Sequence, residues 1–122
     1  MVYPKSLFYQ KNYSSYFSDK DLESTSYQNT VYSMAKQLGY KTFLNQTNLI
    51  VKRPNQLKKV NKIVSKTLII RGKNDKLSSN SMNNELNKKI KCSVYTEIKN
   101  SSHFVMLEKP KIFNKIVTNF LF

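Results

Sequence analysis

What this chain has little of narrows the reading first. A single cysteine, Cys92, among 122 residues excludes an internal disulfide and any cysteine-rich zinc site. That usage fits a reducing compartment, and the cytoplasm is the expected location. No run of apolar residues approaches the ~20 that a membrane-spanning helix needs. Met1 is followed by Tyr3, Pro4 and Lys5 rather than by an apolar core, so no signal peptide and no membrane partner are expected. Acidic residues are also scarce, seven against 21 Lys and Arg, which leaves a formal charge of +14.

That excess raises the question of nucleic acid, because a polycation gains free energy by releasing counterions from phosphates. The kind and placement of the cations argue against it. Only Arg53 and Arg71 are arginine, the better reader of phosphates and base edges. The lysines lie singly or in pairs along the chain, as on a solvated surface. Asparagine is abundant beside them, a pairing that A/T-rich codons produce without any ligand. Nucleic acid is therefore the weaker reading, and a small basic binding module is kept only as the alternative.

The hydrophobic share of 39%, with eight Tyr and seven Phe, suffices for one small folded domain. Residues 1–20, rich in Tyr, Ser and Lys, show no firm periodicity and read as loop, where packing rather than base stacking is the expected use of the tyrosines. Leu22, Tyr27, Val31, Met34 and Leu38 keep helical spacing, and Gly39 stands where a left-handed cap would close that helix. Phe43, Leu44, Thr47, Ile50 and Val51 mark a second helix, stopped at Arg53-Pro54 because the residue before proline disfavours helix. Leu57, Val60 and Ile63 follow at intervals of three.

The pattern changes at Thr67. Thr67-Leu68-Ile69-Ile70-Arg71 is a continuous β-prone run of the kind buried on both faces of a parallel sheet. Asn80 to Ile90 sets Met82, Leu86 and Ile90 on one helical face, and Cys92 to Ile98 then alternates, with Cys92, Val94, Thr96 and Ile98 on one side. Alternation makes Cys92 a small buried apolar group. Strand, helix, strand is a βαβ unit, whose two strands run parallel and deliver their following loops to the same edge of the sheet. Pro110 opens a last helix in which Ile112, Phe113, Ile116, Val117, Phe120 and Leu121 form one wide apolar stripe that should pack on the sheet.

The loops brought together are Gly72-Lys73-Asn74-Asp75 and Lys99-Asn100-Ser101-Ser102-His103. Such an edge is where open α/β sheets place their active sites. It would set the chain's one histidine beside a carboxylate, which fixes the imidazole tautomer and leaves the other ring nitrogen free to act as a base. Ser101 and Ser102 lie on the histidine's own loop and belong to the turn. Glu108 reads as an acid complementing the macrodipole of the last helix.

These residues carry a resemblance. Thr67 to Asp75 resembles the penultimate strand of α/β hydrolases, with its Gly-x-x-Asp turn bearing the triad acid. Ser102-His103-Phe104-Val105-Met106-Leu107-Glu108-Lys109-Pro110 resembles the segment carrying that family's triad histidine and the Leu-Glu-x-Pro start of its final helix. The resemblance covers about residues 55–122 and implies that Asp75 and His103 are catalytic. Ser102 and Lys66 stand where the family usually has Gly and Pro. Upstream, Met34, Gly39, Phe43, Gln46, Ile50 and Arg53-Pro54 resemble a helical lid, which makes Met34 and Phe43 candidate substrate contacts.

The implied fold class is α/β: residues 1–65 a helical lid portion, and residues 66–122 the C-terminal βαβα portion of the hydrolase sheet. The implied ancestral activity is hydrolysis of a carboxylic ester or related acyl bond, without metal or organic cofactor. The family's Gly-x-Ser-x-Gly nucleophile elbow cannot be built from Gly39 and Gly72, the only glycines. The expected partners are thus an acyl substrate of a complete protein and either a separate N-terminal half or a second copy of this chain. It follows that the 122-residue chain alone should show no saturable, His103-dependent hydrolysis of p-nitrophenyl esters, which stopped-flow or plate assays of wild type against His103→Ala will check.

Overall fold

The computed structural model describes residues 15–17 and 25–122. From residue 25 onward the order opens with two helices, α1 at Thr25–Leu38 and α2 at Tyr40–Lys52, followed by a 3-10 turn at Val60–Lys62. Then come β1 (Thr67–Gly72), α3 (Asn80–Lys89), β2 (Ser93–Ile98), the short α4 (Val105–Glu108) and α5 (Pro110–Leu121). The expected stretch from Leu22 to the start of α1 lies outside the described residues, as do residues 1–14.

Gly39 joins α1 to α2 with φ 74 and ψ 158, a positive φ that suits glycine but not the left-handed cap expected there. Its N–H still closes on Ala35 O at 3.2 Å, and its own carbonyl accepts from Phe43 N at 3.1 Å, so it serves as the N-cap of α2. The far end of α2 behaves as its proline dictates: Arg53, ahead of Pro54, is extended at φ −62 and ψ 123.

β1 and β2 are parallel and paired from Thr67↔Ser93 to Gly72↔Ile98, with α3 packed against both strands. The βαβ reading therefore holds, and the loop after each strand leaves by the same edge. The phase of α3 differs from the expected one. Ser79 caps the helix by accepting from Met82 N at 3.2 Å, and Asn83 turns inward, its Nδ2 donating to Ser78 Oγ and to Ser79 O at 2.9 Å. The inward face is thus Asn83 and Ile90, both buried, with Leu86 half-buried between them, and Met82 is exposed.

A two-stranded sheet also covers less than the sequence pattern anticipated. Thr67 to Ile70 are half-buried rather than enclosed, and Val94 is 55% exposed. Cys92 is exposed because it sits in the turn before β2 rather than in the strand. Phe113, Ile116, Val117 and Phe120 of α5 are half-buried, while Ile112 and Leu121 are exposed. Among the described residues the apolar core is small: Phe17, Ile90, Ile98 and Val105.

At Gly72 the packing is backbone on backbone. A Cβ on Gly72 would lie 2.0 Å from Ser102 O and 2.6 Å from Ser101 O, distances that no rearrangement of a side chain could relieve. Gly72→Ala should therefore destabilise the chain by about 3 kcal/mol or more, the upper end of overpacking costs, read as a fall in the urea midpoint with unchanged m value.

Candidate active site

Two loops form the site, and main-chain hydrogen bonds join them before any side chain is involved. Lys73 N donates to Ile98 O and Asn74 N to Ser101 O, both at 2.9 Å. Asn100 takes φ 53 between them, a left-handed conformation that asparagine tolerates. Ser102, which stands in the family's glycine position, is not among the positive-φ residues, so its side chain is accommodated without strain.

Asp75 follows the strand in a tight turn, its N–H bonded to Gly72 O at 3.0 Å. One carboxylate oxygen, Oδ1, accepts from Leu77 N at 2.8 Å and Ser78 N at 3.1 Å. Its other oxygen, Oδ2, is left for His103, whose Nδ1 lies 3.1 Å away. The Asp75 side chain is only 6% exposed, against 36% for His103. The acid is thus enclosed and aimed while the imidazole reaches solvent. Nε2 of His103 makes no hydrogen bond among the described residues.

The histidine loop is held from two further directions. His103 N donates to Tyr16 O at 3.0 Å, and its ring packs against those of Tyr16 and Phe104, with centroids 5.8 and 5.5 Å apart. Phe17 extends this aromatic layer to Tyr27 and Phe104, so Tyr16 and Phe17 both pack at this loop. Tyr27 Oη reaches Leu107 O at 3.3 Å, which ties α1 to the same region.

From below, Glu108 clamps Ser102. The Ser102 N–H donates to both carboxylate oxygens at 3.1 and 3.0 Å. Its hydroxyl lies 2.6 Å from Glu108 Oε1 and 2.8 Å from Tyr16 O, with one proton to give to either. Glu108 is 8% exposed and ends the short α4, from where its carboxylate holds the histidine loop. Sequence reasoning missed this role; the signal available was its place five residues after the histidine, where a helix turn brings it back under the loop.

Beside Asp75 lies the ion pair of Arg71 Nη1 with Glu97 Oε1 at 2.7 Å. Burial first, and then the hydrogen bond to Glu97, push the Tyr95 phenol up from its usual value. It therefore stays protonated at neutral pH and can donate to Glu97 Oε1 or Asn80 Oδ1.

No protein-family model matches the sequence, and no curated protein matches it. Solved structures do. The chain is similar to BpoC, a putative non-heme bromoperoxidase from Mycobacterium tuberculosis H37Rv, at 16% identity and a TM-score of 0.76, over 99% of this chain and 46% of that one. It is similar to MGS-M2, an α/β hydrolase enzyme from a Medee basin deep-sea metagenome library, at 22% identity and a TM-score of 0.70, over 95% of this chain and 44% of that one. A third likeness is to CarC, a serine hydrolase involved in carbazole degradation, at 17% identity and a TM-score of 0.57, over 94% of this chain and 45% of that one. The fold is that of the C-terminal portion of an α/β hydrolase.

The chain spans less than half the length of each of these hydrolase-fold structures. Within its share of the fold, Asp75 and His103 are brought together, whereas Met34 is 57% exposed on α1 and Phe43 is half-buried on α2. The ring contacts of His103 among the described residues are with Tyr16 and Phe104, not with Phe43. No three His, Cys, Asp or Glu side chains among the described residues gather to hold a metal ion, and no described helix is long and apolar enough to cross a membrane.

Because His103 is the chain's one histidine, its imidazole nitrogens can be read without assignment ambiguity. In wild type the neutral ring should carry its proton on Nδ1, facing Asp75. Asp75→Asn preserves an oxygen for the Leu77 and Ser78 amides but turns an NH2 toward Nδ1, so the proton should move to Nε2. Imidazole 15N shifts in the two proteins will show whether it does.

Proposed function

We propose that this chain supplies the acid and the histidine of a hydrolase acting on a carboxylic ester or related acyl bond. The observation that carries the reading is the 3.1 Å contact between His103 Nδ1 and Asp75 Oδ2, made while backbone amides occupy the other carboxylate oxygen. In this reading Asp75 holds the imidazole with Nε2 free. Nε2 takes the proton from an attacking hydroxyl, the Asp75 carboxylate stabilises the imidazolium, and the proton passes to the leaving alcohol when the acyl-oxygen bond breaks.

The attacking hydroxyl is not on the histidine's own loop. Ser101 and Ser102 are buried, the first bonded to Ile98 O at 3.0 Å and the second to Glu108 and Tyr16. The nucleophile and the oxyanion donors come instead from a companion portion of the fold that bears a Gly-x-Ser-x-Gly elbow. Its docking edge is β1. Thr67 N and Lys73 N point to β2, so the alternate residues Leu68 and Ile70 present their backbone groups to the opposite side. A strand from that companion, added there, would bury the apolar run as its composition requires.

The test is to read the coding DNA around this reading frame for such an elbow-bearing segment, co-express it with the 122-residue chain and assay p-nitrophenyl butyrate. Turnover should appear in the complex, fall at least ~10³-fold in His103→Ala, and fall about 10⁴-fold in Asp75→Asn. Turnover that survives His103→Ala overturns the proposal. The lack of any such segment overturns it too, and leaves the basic binding module, whose mark would be salt-sensitive nucleic-acid binding that survives His103→Ala.

A further inference from the structure

We infer that Arg71 is the positioning residue of Asp75, fixing the turn that aims its carboxylate at His103. Arg71 is the last side chain of β1 before Gly72 and is 8% exposed. Its guanidinium uses both edges of the fork. Nε donates to Ser78 O at 2.5 Å, Nη2 to Asp75 O at 3.0 Å, and Nη1 to Lys73 O at 3.2 Å as well as to Glu97 Oε1 at 2.7 Å. Three of the four acceptors are main-chain carbonyls, and they bracket Asp75 on both sides.

Between β1 and α3 this segment has no regular hydrogen-bonding of its own, so its carbonyls and amides need side-chain partners. The two side chains divide the turn between them. Arg71 collects the carbonyls of Lys73, Asp75 and Ser78, and Asp75 Oδ1 collects the amides of Leu77 and Ser78. Oδ2 alone is left over, and it faces His103. A lysine at this position has one compact ammonium and cannot serve acceptors spread along the turn, whereas the planar guanidinium carries five donors in fixed directions. In a chain whose cations are nearly all lysine, an ion pair with Glu97 would not by itself call for arginine.

The inference rests on the proposal that Asp75 orients His103, and the measurement separates the two. Amide hydrogen exchange and imidazole 15N shifts are recorded on the whole chain for wild type, Arg71→Lys and Glu97→Gln. In Arg71→Lys the Leu77 and Ser78 amides should exchange about tenfold faster or more, as expected for losing charge-assisted hydrogen bonds around them. The amides of Thr67 and Ile90, bonded to Cys92 O and Leu86 O, should keep their protection, and His103 should drift to a mixture of tautomers. Glu97→Gln, which keeps an acceptor for Nη1, should leave all of these as in wild type.

Unchanged exchange at Leu77 and Ser78 in Arg71→Lys overturns the inference. So does equal loss of protection at Thr67 and Ile90, which would make the effect global, or equal loosening in Glu97→Gln, which would reduce Arg71 to an ion-pair partner. Should Arg71→Lys unfold, Arg71→Gln takes its place, and unfolding of both marks Arg71 as purely structural and overturns the inference. A wild-type His103 with no proton on Nδ1 would count against the hydrolase reading instead, while the exchange rates still decide the role of Arg71.

Discussion

Everything at this site depends on the closeness of two stretches of backbone. The parallel register ends at Gly72↔Ile98, and from there both chains turn away from the sheet together. Gly72 lets the carbonyls of Ser101 and Ser102 approach to distances that a Cβ would forbid, and the amides of Lys73 and Asn74 then bond across to Ile98 and Ser101. The acid and the histidine are thereby anchored to a shared rigid seam. Side-chain geometry of a few tenths of an ångström can be held on such a support, whereas two independently mobile loops would lose it to rotamer entropy.

Charge is used in two distinct ways. The many exposed lysines sit in water, where single charges contribute little to stability. Arg71 and Glu108 are buried instead, and each spends its charge on the main chain of a site loop: Arg71 on carbonyls around Asp75, Glu108 on the Ser102 amide and hydroxyl. A buried ion costs several kcal/mol to desolvate unless its lone pairs or protons are satisfied. These two are satisfied mainly by groups whose positions matter to the pair. Ser102 fits this scheme, since its hydroxyl has one proton to donate either to Glu108 Oε1 or to the Tyr16 carbonyl, both within reach of the histidine loop.

The parts legible in the sequence are those where one local force dominates. Continuous β-prone residues at Thr67–Arg71, alternation up to Ile98 and the proline-led stripe of α5 each left one reading, and the shared sheet edge then followed from topology. Where two forces compete, the sequence pattern misled. Asn83 displaced Met82 from the buried face of α3 because its amide bonds back to Ser78 and Ser79, a satisfaction that hydrophobic periodicity does not register. Glu108 looked like a helix-dipole acid, and its partner was visible only once the loop was folded over it. Arg71 was read as part of a strand, because nothing in a linear sequence shows that the next seven residues will curl around one guanidinium.

The exposed apolar surface has the same physical origin as the small core. A run such as Leu68-Ile69-Ile70 gains its full hydrophobic stabilisation only between two layers and two neighbouring strands, and β2 and α3 supply one of each. Among the described residues no strand pairs with the opposite edge of β1, which leaves backbone groups next to apolar side chains, the combination that natural sheets otherwise hide behind charge, proline or a bulge. None of those devices occurs between Thr67 and Ile70. An edge left undefended in this way is what a strand destined for the middle of a sheet looks like. In hydrolase-fold structures more than twice this chain's length there is enough further structure to occupy it.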